Sequence, residues 1–173
     1  MSVMIRDEDA ACLLDILSEH ATICIEGHTC SGKTTAGIKI AETFGAKFFD
    51  IDDYIIKNQN PNPTIERYED LIDINKLSKE INEEEGKKVI VGICLRNILR
   101  LDELDKESIF IYIKCISRTT FQWIEENTLD DLRKGNIDID NIPEPHASDY
   151  RYILEKSPQN KADIIFERLE ENI

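Results

Sequence analysis

The chain of 173 residues carries 35 acidic against 21 basic side chains, a formal net charge of −14 at pH 7, and 41% of its residues are hydrophobic. A chain of this length buries roughly 70% of the surface its unfolded form exposes, which suits one domain over residues 1–173 with an ordinary core. No basic stripe interrupts the acid excess, so a nucleic-acid partner, whose affinity would rest on clustered Lys and Arg, is disfavoured and none is expected.

The N-terminal stretch "MSVMIRDEDAACLLDILSEH" carries acids where a signal peptide would carry bases, and its spacing predicts a helix over 6–19. No apolar run reaches the length that spans a bilayer. The five cysteines, Cys12, Cys24, Cys30, Cys94 and Cys115, form no CxxC pair and lie mostly in apolar runs. A disulfide framework or zinc site is therefore disfavoured, and the expected setting is the cytoplasm, without a membrane partner and with the oligomeric state left open.

Five short β-branched runs then alternate with longer amphipathic stretches, the pattern of an α/β domain on a parallel sheet. The predicted strands are "TICIE" (22–26), "KFFDI" (47–51), "KVIVGI" (88–93), "IFIYIK" (109–114) and "ADIIF" (162–166). Their unbroken hydrophobicity predicts helices on both faces of the sheet. Those helices are expected at 33–43, 73–85, 95–104, 117–134 and 147–156, with "NQNPNP" (58–63) as a loop. The polar, proline-interrupted stretch 127–149 follows the fourth strand, where a small lid, drawn over 116–149, would cover a site at the strands' C-terminal ends.

Between the first predicted strand and the helix after it, "GHTCSGKTT" satisfies G-x-x-x-x-G-K-[ST] through Gly27, Gly32, Lys33 and Thr34. Glycines permit tight turns that aim backbone N–H groups of His28, Thr29, Cys30 and Ser31 at a phosphate, and the following helix adds its positive end. Lys33 would reach the β and γ phosphates, Thr34 would hold Mg²⁺ through its hydroxyl, and Thr35 adds a donor at the helix start. A glycine-rich turn with no ligand is the alternative. The strand before and the helix after argue against it.

At the end of the second predicted strand "FFDIDDYI" brings Asp50, Asp52 and Asp53 to the same edge. Carboxylates there can bind Mg²⁺ through water or take the proton of an attacking hydroxyl, and Asp52 is the expected base and second metal-side group; the alternative is that all three end a strand and cap a turn. "NKAD" (160–163) matches the guanine-reading N-K-x-D, but it precedes a strand instead of following one, and no D-x-x-G lies between it and the loop. Arg96 either faces phosphate or pairs with a nearby acid. His28 is expected to use its backbone more than its ring, His146 to face solvent, and Phe121 and Trp123 to pack a helix or stack a base.

"GHTCSGKTT", "DIDDY", "KVIVGICL" and "YILEKSPQNKADIIF" together resemble the uridine kinase-like branch of small P-loop kinases. The resemblance implies a three-layer α/β P-loop NTPase fold with a five-stranded parallel sheet and a lid. It also implies ATP and Mg²⁺, and transfer of the γ-phosphoryl group to a hydroxyl of a nucleoside or similar small molecule. In relatives with an Asp-x-[Phe/Tyr] element the Asp is the catalytic base; that position falls on Asp52, with Tyr54 as the aromatic and Asp53 and Arg96 beside the acceptor. Lid arginines close over the transferring phosphate, and Arg118 and Arg133 are the candidates here. The sequence departs where relatives carry an acid at the end of the third strand, because Gly92 follows Val91 directly. The competing expectations are a regulatory nucleotide-binding protein without transfer and, more distantly, a nucleoside monophosphate kinase.

Overall fold

In the computed structural model, which describes residues 3–6, 10–56, 67–99 and 108–170, one sheet runs in the order β1-β6-β5-β2-β4-β3. Its strands are β1 (Val3–Arg6), β2 (Thr22–Gly27), β3 (Lys47–Asp50), β4 (Lys88–Val91), β5 (Ser108–Ile116) and β6 (Ile164–Leu169), and every pairing is parallel. The sheet thus has 6 strands, one more than the apolar runs predict. The extra strand is β1, which pairs only with β6 and buries only Ile5 of its four residues. Its strand character comes from the edge of β6, so the predicted helix 6–19 gives way to a strand and then a shorter helix.

The helices are α1 (Ala10–Leu17), α2 (Lys33–Phe44), α3 (Ile74–Glu83), α4 (Leu95–Ile98), α5 (Glu126–Lys134), α6 (His146–Lys156) and α7 (Pro158–Lys161). On one face Leu13, Leu17 and Ile40 of α1 and α2 pack on Ile23, Ile25 and Ile111. On the other, Leu77 and Ile81 of α3, Leu95 and Ile98 of α4 and Tyr152 of α6 cover Cys24 and Ile90. Each fully buried Leu or Ile contributes about 1.5–3 kcal/mol of hydrophobic stabilisation. Both faces being covered explains why all six residues of β2 are buried.

The predicted helix 117–134 begins only at Glu126. The chain leaving β5 folds back instead: Ser117 N–H donates to the Gln122 carbonyl at 2.9 Å, and Ile116 bridges Trp123 in antiparallel fashion. Trp123 is thereby buried edge-on to Tyr112, with Leu129, Tyr150 and Ile153 in the same cluster, while Phe121 is left 76% exposed. The predicted loop 58–63 and the second half of the predicted helix 95–104 lie outside the described residues.

Strand order positions the site. From β2 the chain moves out to β3 and β4 on one side and then crosses to β5 and β6 on the other. The crevice of such a sheet opens over the C-terminal end of the strand where the winding reverses, here Gly27.

Candidate functional site at the phosphate loop

The loop between β2 and α2 is held by close backbone packing. Gly27 has φ 154°, and a Cβ there would stand 2.6 Å from the Ile113 carbonyl oxygen and 2.7 Å from Ser31 Oγ. Gly32 has φ 93°, the left-handed region that suits glycine, directly before α2. Inside the loop Ser31 N–H donates to the His28 carbonyl at 3.0 Å, and Lys33 Nζ donates to the same oxygen at 2.8 Å. Burial pulls the Lys33 ammonium below the ordinary lysine range, against the opposing pull of Asp149, Asp52 and Asp50. An anion arriving at the loop would meet a desolvated lysine already under the influence of nearby acids.

Cys30, Gly32, Lys33, Thr34, Thr35 and Arg168 line a hollow of about 350 Å³ at the loop. It adjoins a larger cavity of about 650 Å³ that shares Gly32, Thr35 and Arg168, has Ile25, Ile113 and Phe166 in its lining, and has Arg118 at its border. The hollow lies against the loop, whereas the larger cavity is lined mostly by apolar side chains of the layer between α1, α2 and the sheet.

Thr34 Oγ1 donates to Asp50 Oδ2 at 3.0 Å. Asp50 is also the cap of the turn that follows β3 (Ile51–Tyr54), its Oδ1 accepting from Asp52 N–H at 3.1 Å. Burial pushes the Asp50 carboxyl above its ordinary range, and the bonds from Asp52 and Thr34 offset only part of that shift. Two hard oxygens, one hydroxyl and one carboxylate, fit the sparse protein contribution that Mg²⁺ takes when phosphate and water fill the rest of its shell. Among the described residues no group of three or more His, Cys, Asp or Glu is arranged to hold a metal on its own.

Asp52 is exposed, and its Oδ1 accepts from Tyr68 Oη at 2.5 Å. The Asp53 side chain is exposed at the same turn. Tyr54 points away, buried, with its hydroxyl on Glu80 Oε2 of α3 at 2.6 Å. Arg96 takes the second of its two expected roles: its Nε lies 3.1 Å from Glu26 Oε2, and its guanidinium sits 4.2 Å from the Phe110 ring centroid. Glu26 immediately precedes Gly27, is 1% exposed and also accepts from the Tyr152 hydroxyl. Arg118 bonds the main chain and side chain of Glu170 through its Nε and N–H. Arg133 pairs with Asp130 at 2.8 Å on a half-exposed face of α5. Asp163 of "NKAD" joins β5 and β6, its Oδ2 accepting from Phe110 N–H at 2.9 Å.

At the position of the missing third-strand acid, a Cβ on Gly92 would lie 2.9 Å from Ile51 Cδ1 and 3.0 Å from its Cβ. The turn after β3 thus fills the space a side chain would need. Asp50, in register with Val91 on the neighbouring strand, brings a carboxylate to Thr34 instead.

Several site residues escaped sequence reasoning. Asp149 on α6 accepts Thr29 N–H at 2.9 Å and lies 2.7 Å from His28 Nδ1. The buried His28 ring lies 4.6 Å from the Tyr150 ring, tilted by 35°, and has Glu125 Oε2 and His146 Nδ1 each 3.5 Å from its Nε2. His28 therefore uses its ring as well as its carbonyl, and His146 faces it. Arg168, against Gly32, belongs to β6. The signal for Asp149 is faint: one acid in the first turn of an amphipathic helix, more than a hundred residues from the loop it meets.

No protein-family model and no curated protein matches the sequence. Solved structures do match in shape. A possible uridine kinase from Bacillus stearothermophilus aligns over 90% of this chain and 96% of its own, with a TM-score of 0.58 at 16% identity. A gluconokinase from Sinorhizobium meliloti 1021 aligns over 89% of this chain and 85% of its own, with a TM-score of 0.51 at 15% identity. At these identities the likeness to the possible uridine kinase and to the gluconokinase is one of fold.

Proposed function

We propose that the chain is an ATP- and Mg²⁺-dependent phosphotransferase that moves the γ-phosphoryl group to a hydroxyl of a nucleoside or similar small molecule, acting in the cytoplasm as a single domain with a lid over 116–149. The observation that carries this reading is the convergence, at one sheet edge, of the glycine loop with Lys33, the Thr34–Asp50 pair and the exposed Asp52 carboxylate.

The chemistry asks for positioning and electrostatics more than for covalent catalysis. Lys33 would leave the His28 carbonyl for the phosphate oxygens and neutralise charge on the group in flight. Thr34 and Asp50 would hold Mg²⁺, which supplies charge neutralisation across the β and γ phosphates. Asp52, steadied by Tyr68, would orient the acceptor hydroxyl and take its proton, a general-base contribution of about 10²–10⁴-fold. Arg118 and Arg168 line the larger cavity beside the loop.

Incubation with Mg²⁺-ATP and a panel of nucleosides, sugars and small alcohols, followed by ADP, tests the proposal. Acceptor-dependent ADP that vanishes in Lys33→Ala supports it. Tight ATP binding with no acceptor-dependent ADP favours the second reading, a regulatory nucleotide-binding protein, to which the pairing of Arg133 with Asp130 outside the loop gives some weight.

A further inference from the structure

A carboxylate occupies part of the phosphate loop. Asp149 Oδ2, on a side chain 2% exposed, accepts the Thr29 amide at 2.9 Å, meets Thr29 Oγ1 at 3.4 Å and lies 2.7 Å from His28 Nδ1. These contacts all fall on one oxygen and on the first residues of the loop. A backbone amide in such a loop is the kind of donor a phosphate oxygen uses, and a carboxylate bound to it makes a bond roughly twice as strong as a neutral acceptor would. Asp149 is also first among the acids that pull on Lys33. Two anions cannot share that amide without strong repulsion in a buried setting.

We propose that Asp149 is an internal anion of the phosphate loop: it holds the Thr29 amide and the His28 ring while the loop is empty, and an incoming polyphosphate must displace it. The proposal rests on the phosphate-binding reading of the loop. Asp149 is a positioning residue in this scheme and touches no reacting atom. Its displacement also has a route to the acceptor side, because the adjacent Ser148 Oγ accepts Tyr68 N–H at 3.0 Å and Tyr68 in turn donates to Asp52 at 2.5 Å. Occupancy of the loop would thus reset the carboxylate that meets the acceptor.

Titration calorimetry of the full chain with inorganic tripolyphosphate, and separately with ATP, tests this. Asp149→Asn keeps the shape and removes the charge, so it should bind tripolyphosphate at least about fivefold more tightly than the unsubstituted protein. Asp52→Asn removes an equal charge near Lys33 without weakening a bond to a loop amide, and should gain less than about twofold. Equal or weaker binding by Asp149→Asn, or an equal gain by Asp52→Asn, overturns the proposal. If the unsubstituted protein binds neither tripolyphosphate nor ATP, the kinase reading fails on its own; binding gained by Asp149→Asn would still uphold the internal anion, and no gain would overturn it. Should Asp149→Asn not fold, the Thr29 amide resonance of the unsubstituted protein decides. Movement on saturation with tripolyphosphate supports displacement, and a stationary resonance refutes it.

Discussion

The hydroxyl of Thr34 and the carboxylate of Asp50 lie 3.0 Å apart, joining the first turn of α2 to the last residue of β3 across 16 positions of sequence. Helix start and strand end meet because α2 packs directly on β3 and β4; a Cβ on Gly37 would stand only 2.4 Å from Val91 Cγ1. The pair follows from how closely helix and sheet approach.

Asp50→Asn should therefore separate function from stability. Loss of the carboxylate beside Thr34 should weaken the apparent Mg²⁺ affinity of ATP turnover by about 10–100-fold, read from a Mg²⁺ titration. Burial raises the folded-state pKa of Asp50, so its contribution to stability is present at acid pH and lost as pH rises through that raised value. Above that raised value the carboxylate is a net cost, and Asp50→Asn should there melt at or above the unsubstituted protein. The difference should shrink as the pH is lowered toward the unfolded-state carboxylate range.

The Tyr68–Asp52 bond predicts a split in kinetic constants. Tyr68→Phe leaves the carboxylate in place but frees its rotamer, so kcat should fall by about tenfold with little change in KM for ATP. Asp52→Asn should lower kcat by about 10²–10⁴-fold while ATP affinity by calorimetry is retained. Unimpaired transfer by Asp52→Asn would remove it from the role of base.

Arg96→Met tests the buried pair beneath the loop. Breaking a buried ion pair by removing one partner costs about 3–5 kcal/mol, here because Glu26 would remain buried without its cationic partner. For a chain of this size that is a fall of about 6–20 °C in Tm. Burial already holds the Glu26 carboxyl above its ordinary range, with Arg96 the leading opposing influence. Removing Arg96 raises it further, so the loss should be larger at pH 8 than at pH 5. Thermal melts at the two values check the sign.

Two glycines should fail in different ways. Gly27→Ala would drive a Cβ into the Ile113 carbonyl and abolish nucleotide binding, measured by calorimetry. Gly37→Ala faces side chains, Val91 and Phe48, that can shift. It should cost about 1–3 kcal/mol of stability, read by urea unfolding, with ATP affinity largely kept.

Much of the fold was legible because its signals are local. The interior strands β2, β4 and β5 are apolar runs covered on both faces, and the loop motif lies between a strand and a helix as its spacing demands. β1 was not legible, since "VMIR" becomes a strand only through pairing with β6. The helix expected from residue 117 failed for a related reason: Trp123 finds Tyr112 and Tyr150, and that burial outweighs the helical propensity of the residues around it.

By itself the sequence determined that a glycine loop follows a buried strand, opens a helix and is followed by a cluster of acids, because backbone freedom, hydrophobic period and charge are properties of neighbouring residues. Tertiary structure decided which acids serve. It set Asp50 against Thr34, tied Asp52 to Tyr68, sent Arg96 to Glu26 and carried Asp149 across 120 positions to the Thr29 amide. Those choices depend on strand order and on helix-to-sheet distance, and neither is written in any local stretch of the chain.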